Sequence, residues 1–301
     1  MAFENKVVFH KLPLIYRKRL SLGVVIPCHN NAFGIYGVLR SLDFQSVRPE
    51  TVVVVDDNSD PTEERRVRSV CDAFGARYSK LPAPRNGLEA LGRRSHARNL
   101  GTHCLDTDIV LYLDGDMLLG PRYIEEIKFY HAVFRKIYAR GRRYSIPPDY
   151  QANGLDVCLD AIKEERMPME LSSPGYVNQP ESYLGEWLYG TAYCDRWEWC
   201  ASNNLSVRRV YVSHIGYWDE EYYGWGEEDI DFSYRLYRRG VTPLLLNSDN
   251  AISYHLDHHI DYCKNEGSLR ANGKYLISKY PEIRQFRVAA YALYNVDIEA
   301  G

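Results

Sequence analysis

Long apolar runs are missing from this chain: none approaches the roughly 20 residues that a helix needs to cross a bilayer. The stretch Met1 to Leu20 is interrupted by lysines and arginines, so it lacks the apolar core of a secretory leader. Cysteine pairing is missing as well. The seven cysteines, at positions 28, 71, 104, 158, 194, 200 and 263, are odd in number and contain no CxxC pair. That argues against a disulfide framework and against a structural zinc site. Reduced thiols in a cytoplasmic protein are the expectation. Nor is there a strong charge of one sign, since 37 basic and 40 acidic side chains leave a formal charge of −3. General binding to nucleic acid or to an anionic membrane is disfavoured. No internal repeat or low-complexity tract is present.

Tyrosine is plentiful, with 25 copies in 301 residues. Its flat apolar face and edge hydroxyl suit carbohydrate surfaces and protein interfaces alike. Leu22 to Pro27, Thr51 to Val55 and Ile109 to Leu113 read as buried strands, each ending at polar residues. Helical patterns lie at about Ala32 to Phe44, Pro61 to Phe74 and Gly87 to Leu105. This alternation predicts an α/β fold with a mostly parallel central sheet, right-handed crossovers and flanking helices. Ligands of such sheets sit beyond the carboxyl ends of the strands. Those ends carry Pro27-Cys28-His29-Asn30, Asp56-Asp57-Asn58-Ser59-Asp60 and Asp114-Gly115-Asp116, so one crevice should gather all three. From Gly141 to Cys200 prolines and tyrosines break the periodicity, and an irregular segment of that length is read as an acceptor-binding loop. A helix is expected from about Glu227 to Arg239, stopped by Gly240. Short strands follow at Val241 to Leu246 and Ala251 to Tyr254. The tail beyond Asn265 reads as one or two helices with no motif that assigns it a role.

The densest chemistry lies in Gly224-Trp225-Gly226-Glu227-Glu228-Asp229-Ile230-Asp231. Acids in a first helical turn complement the helix dipole, contributing about 0.3–1 kcal/mol each, but that does not account for a tryptophan set between glycines. A tryptophan beside a carboxylate can stack on a sugar ring while the acid takes a hydroxyl proton. In Asp114-Gly115-Asp116, alternate side chains of an extended segment point the same way, so both acids can serve one ligand. Hard oxygen donors select magnesium or manganese, and an imidazole from His255 tilts the choice toward manganese. His258 and His259 are adjacent and diverge in regular structure, so His255 is expected to be the single histidine ligand. Asp60 before Pro61 is a good helix cap, which leaves Asp57 to accept a hydrogen bond from a base. Arg98 can pair with a carboxylate or a diphosphate, or lie on a solvated face.

In this order the motifs resemble the GT-A glycosyltransferases, in particular family 2 and the chondroitin-polymerase and β-1,4-galactosyltransferase groups. The resemblance runs from about Ser21 to His259. Val24 to Asn30 looks like the opening nucleotide-binding strand, Val54 to Ser59 like the uracil-binding turn, and Arg94 to Gly101 like the "ARN-G" helix. Tyr112 to Asp116 is similar to the DxD motif, and Ala201 to Ser206 to an acceptor-side segment, with Ser202-Asn203-Asn204 in place of paired glycines. Trp225 to Asp229 is similar to the W-G-x-E-D signature, and His255 falls where these groups carry a C-terminal metal ligand.

The resemblance implies a nucleotide-sugar donor, most often a UDP-sugar, and Mn²⁺ or Mg²⁺ held through Asp116 and His255. It implies Asp229 as the base of an inverting transfer, with Glu228 as second choice. Donor contacts fall to Pro27, Cys28, Asn30, Asp56, Asp57, Arg98, Asp114, Gly115 and Asp116. Acceptor contacts fall to Trp225, Gly226, Asn203 and Asn204, the acceptor being a glycan, a peptide or a small molecule. One GT-A domain over residues 1–301 is expected, with a nucleotide-sugar half at 21–140, an acceptor half at 141–264 and a helical tail at 265–301. Retaining polypeptide GalNAc-transferases share the W-G-x-E frame but typically carry asparagine where this chain has Asp229. A nucleotidyltransferase would want a glycine-rich basic loop after the first strand, which is absent. A non-catalytic sugar-binding module predicts decayed acids, and these are intact.

Overall fold

The structure is a computed structural model, and it describes residues 20–152, 154–166, 191–193, 197, 201–246, 248–258, 262–285 and 287–288. Most of the loop expected between Gly141 and Cys200, and the end of the tail, lie outside the described residues.

Eight strands form the main sheet in the order β3-β2-β1-β4-β9-β6-β10-β8. They are β1 (Leu22–Cys28), β2 (Thr51–Asp56), β3 (Arg77–Lys80), β4 (Ile109–Leu113), β6 (Ile137–Arg140), β8 (Thr191–Tyr193), β9 (Asn204–Arg208) and β10 (Thr242–Leu246). β1 pairs in parallel with β2 and β4, β2 with β3, and β6 with β10. Only β9 and β8 run against their neighbours. The expected mostly parallel sheet is thus present, with an antiparallel strand inserted beyond β4. A second sheet, in the order β5-β11-β7, is built from β5 (Met117–Leu119), β7 (Arg142–Ile146) and β11 (Ile252–Leu256).

Strand periodicity divides the core into two layers. Val24, Ile26, Val54 and Leu111 point to one face, where they pack with residues of the helices Ala32–Asp43 and Tyr123–Val133. Val25, Val53, Val55, Val110 and Tyr112 point to the other face, with Ala97 of the helix Arg94–His103 and Phe232 of the helix Glu228–Arg238. Burial on both sides explains why β1 and β4 are unbroken apolar runs rather than alternating ones.

Two expected helices differ at their starts. The pattern from Gly87 to Leu105 divides into a 3₁₀ turn, Glu89–Leu91, and the helix Arg94–His103. Gly92, at φ 117°, supplies the break. The later helix begins at Glu228 because Glu227 sits in the left-handed region, at φ 74°.

Gly141 turns the chain from β6 in the large sheet into β7 in the small one. A Cβ added there would lie 2.1 Å from the Ala251 carbonyl oxygen and 2.6 Å from the Tyr123 ring. Neither a backbone carbonyl nor a fully buried tyrosine can step aside cheaply. Gly141→Ala is therefore expected to lower stability by about 1–3 kcal/mol, read as a lower urea midpoint. An unchanged midpoint would contradict this packing.

Candidate active site

The site is assembled where the two sheets meet. Asp114-Gly115-Asp116 is the short link from β4 to β5, and β5 pairs antiparallel with β11 so that Met117 faces His255. The Leu256 amide donates to the Asp116 carbonyl at 2.9 Å. This ladder brings together two residues that are 139 positions apart (255 − 116) in the chain. The His255 Nε2 lies 3.4 Å from Asp116 Oδ2, and His258 Nε2 lies 3.3 Å from the same oxygen. One carboxylate oxygen and two imidazole nitrogens thus fall within 4.8 Å of one another, a donor set that fits a divalent transition ion. Behind His255, Asp257 Oδ1 lies 3.0 Å from Nδ1. That contact fixes the ring and turns Nε2 toward Asp116. Burial would raise the Asp116 carboxyl, but hydrogen bonds from the two histidines outweigh it and hold the group below its usual range.

Asp114 faces a different partner. Arg98, at 1 % exposure, reaches Asp114 Oδ1 at 3.3 Å and Glu228 Oε1 at 3.1 Å. Its guanidinium carbon lies 4.6 Å from the Trp218 ring centroid. One buried cation therefore joins the acid pair after β4 to the acids after Trp225. Burial raises the Asp114 carboxyl above its usual range even though Arg98 opposes it. Asp229, next to Glu228, is half-buried and carries no such cation of its own. Burial first, and then the Glu228 charge, push its carboxyl up to about 7.

The loop that holds Trp225 is gripped from outside by the helix Tyr262–Lys279, for which the sequence offered no role. Asn272 Nδ2 donates to the carbonyls of Tyr223 at 3.0 Å and Gly226 at 2.8 Å, while the Ser268 hydroxyl accepts from the Trp225 amide at 3.1 Å. Gly224 and Gly226 have φ of 74° and 96°, and a Cβ on either would sit 2.6 Å from Ser268 or Leu269 respectively. Both glycines are thus demanded twice, by backbone conformation and by the close approach of this helix. At its last residue, Lys279 pairs with Asp231 at 2.6 Å, and beyond its end Arg287 pairs with Glu227.

The remaining expected residues divide into those at the crevice and those inside the scaffold. Asp60 caps its helix through the amides of Thr62 and Glu63, leaving Asp57 beside it. Asp57 is held by the Arg93 side chain at 2.9 Å and lies near the crevice. The exposed Asn30 accepts from the Asp60 amide at 2.8 Å, and Asn31 Nδ2 donates to the Gly115 carbonyl at 3.0 Å, so the ends of β1, β2 and β4 are tied together. Pro27 is half-buried at the end of β1. Asp56 must be corrected: it is wholly buried and occupied by Ser59 and by the Tyr78 hydroxyl at 2.9 Å, so it supports the turn rather than facing a ligand. The Cys28 thiol is likewise buried, and burial pushes it up to about 12. Asn204 is the second correction. Fully buried, it donates to the Ser253 hydroxyl at 2.7 Å and bridges β9 to β11, which leaves it no surface for an acceptor. Asn203 stays partly exposed and its carbonyl accepts from the Asp114 amide at 3.0 Å. His258, not expected to be a ligand, is exposed but lies against Asp116; the acid immediately before it was the available signal, since Asp257 anchors this turn.

Residues 23–156 match the family described as Glycosyl transferase family 2. The chain is 27 % identical over 279 residues to validoxylamine A glucosyltransferase of Streptomyces hygroscopicus subsp. limoneus, covering 87 % of this chain and 57 % of that protein. It is 26 % identical over 258 residues to chondroitin synthase of Escherichia coli, covering 79 % of this chain and 35 % of that one. The fold is similar to that of GalNAc-T7 solved with UDP, GalNAc and Mn²⁺, with a TM-score of 0.64 at 13 % identity over 91 % of this chain and 50 % of that chain. The likeness to GalNAc-T7 shows the GT-A fold, and residues 23–156 are similar to glycosyltransferase family 2. The chain spans about half the length, or less, of these two curated relatives. Among the described residues, no helix is long and apolar enough to cross a membrane.

Arg98→Met removes the shared cation and leaves the buried Glu228 carboxylate unpaired by it, beside the partly exposed Asp114. A loss of about 3–5 kcal/mol is expected, measured by urea denaturation. A loss under 1 kcal/mol would show that the two acidic segments do not depend on this link.

Proposed function

We propose that this domain is a metal-dependent, inverting glycosyltransferase that moves a sugar from a nucleotide-sugar, in the first place a UDP-sugar, to an acceptor hydroxyl. The observation that carries this reading is the double ion pair of Arg98, which makes the DxD acids and the W-G-x-E-D acids parts of one site. The relatives and the Mn²⁺- and UDP-bound neighbour support it. The donor half is 21–140 and the acceptor half 141–264, with a glycan, a peptide or a small molecule as acceptor.

Asp57 and Arg93 flank the pocket for the base, with Pro27 and Asn30 shaping it. Asp114 takes a ribose or sugar hydroxyl. Asp116 and His255 would hold Mn²⁺ or Mg²⁺, which when bound offsets the charge that builds on the departing diphosphate. Asp229 takes the proton of the acceptor hydroxyl as that oxygen attacks the anomeric carbon. Its raised carboxyl suits a base that works near neutral pH. Glu228, whose Oε1 accepts from Arg98 at 3.1 Å, orients that guanidinium. Trp225 and Gly226 form a wall for the acceptor.

Incubation with Mn²⁺ and a panel of UDP- and GDP-sugars should release nucleotide with at least one donor. Silence with every donor would count heavily against a transferase. Asp229→Asn is expected to abolish transfer while leaving UDP affinity nearly unchanged; lost UDP binding would remove Asp229 from the base role. The pH dependence has a definite sign. The folded carboxyl sits at about 7 against an ordinary value of 3.8, so the rate should rise with pH through about 7 as the base ionises. The same shift means that the folded state holds a proton the unfolded chain releases between those values, so this group's contribution to stability falls as pH rises across that window. A rate already flat at pH 5 would contradict the assignment.

A further inference from the structure

The cluster at Asp116 contains more nitrogen than the proposed metal reading uses. His255 is accounted for, but His258 Nε2 is as close to Asp116 Oδ2, at 3.3 Å, as His255 Nε2 is at 3.4 Å. The two imidazole rings face each other across 5.4 Å between centroids, at 52°. The His255 ring is buried, whereas the His258 side chain is 56 % exposed and still lies against Asp116. Its main chain is set by the turn that follows β11. There the Asp257 amide donates to the Ile146 carbonyl at 3.0 Å, and the Gln151 side chain donates to the Asp257 carbonyl at 2.8 Å.

The geometry behind His255 sharpens the point. Asp257 Oδ1 lies 3.0 Å from His255 Nδ1, which leaves Nε2 as the nitrogen presented to Asp116. Two such nitrogens aimed at one oxygen form the corner of a coordination sphere, with the remaining positions open to diphosphate oxygens or water.

We propose that His258 is a third protein ligand of the cation, beside Asp116 and His255, and that this two-imidazole set makes the site select Mn²⁺ over Mg²⁺. The proposal rests on the metal-dependent reading above. Carboxylate and phosphate oxygens alone serve Mg²⁺ well, whereas each added imidazole favours the later, softer ion. The exposed side chain lets His258 be removed without opening the core.

The test is Mn²⁺ binding by the full chain, with MnCl₂ or MgCl₂ as the probe, in the presence and absence of UDP. Free Mn²⁺ is counted by electron paramagnetic resonance, and coordinated nitrogen by electron spin-echo modulation. The wild type should bind one Mn²⁺ with the modulation of two imidazoles and prefer it to Mg²⁺. His258→Ala should keep one imidazole, raise the Mn²⁺ dissociation constant by about tenfold or more, and narrow the Mn²⁺/Mg²⁺ preference. The exposed His214→Ala, outside the Asp116 cluster, should behave as wild type. Unchanged affinity, preference and modulation in His258→Ala, with binding lost in His255→Ala, would overturn the third ligand and leave the metal reading standing. A wild type that binds no Mn²⁺ with UDP present would overturn both.

Discussion

A guanidinium buried away from water is costly unless carboxylates meet it, and Arg98 is met by two from distant parts of the chain. Asp114 follows β4; Glu228 opens a helix more than a hundred positions later. Asp114 keeps part of its surface in solvent, but Glu228 alone would be a poor tenant of this interior, and the arginine alone a worse one. Together they fix the distance between the segment that would hold the donor and the segment that would hold the base. Trp218 lies against the guanidinium face and Phe232 stacks on Trp218 at 3.8 Å, so the ion pair is anchored to the apolar layer beneath the sheet. The same arrangement explains how two neighbouring acids can differ in role: Glu228 spends its charge on Arg98, and Asp229, left beside that charge, becomes the one that is hard to ionise.

A second constraint acts from outside. The loop around Trp225 takes a positive φ at three of four consecutive positions, 224, 226 and 227. Such a path does not hold itself. Asn272 ties its carbonyls and Ser268 its amide, while Lys279 and Arg287 neutralise acids on its far side. Domain boundaries drawn from the motifs alone would end near residue 264 and would cut away this support.

What could be read beforehand follows from how local each signal was. Strands buried on both faces betray themselves as apolar runs, so β1, β2 and β4 were visible, as was the helix capped by Asp60. DxD and W-G-x-E-D are contiguous motifs and were equally plain. The role of Arg98 was not, because a lone arginine in a helix looks the same whether it faces solvent or two distant acids. Asn204 misled for the converse reason: its neighbours sat in an acceptor-type segment, but the antiparallel insertion of β9 turned that side chain into the seam between sheets. His258 depended on a turn pinned by Ile146 and Gln151, contacts more than a hundred positions away in the chain. The tail carried no motif at all, since its function is to hydrogen-bond backbone, which any helix bearing an asparagine at the right turn can do.

The claim on which everything else depends is that one site, not two, contains the DxD acids, the histidine of β11 and the base. Anomalous scattering from crystals soaked in MnCl₂ and UDP measures this most directly. A manganese peak against Asp116 and His255, with the UDP diphosphate on it and Asp229 facing the open side, is the predicted result. A peak elsewhere, or UDP seated with no ion at Asp116, would contradict it.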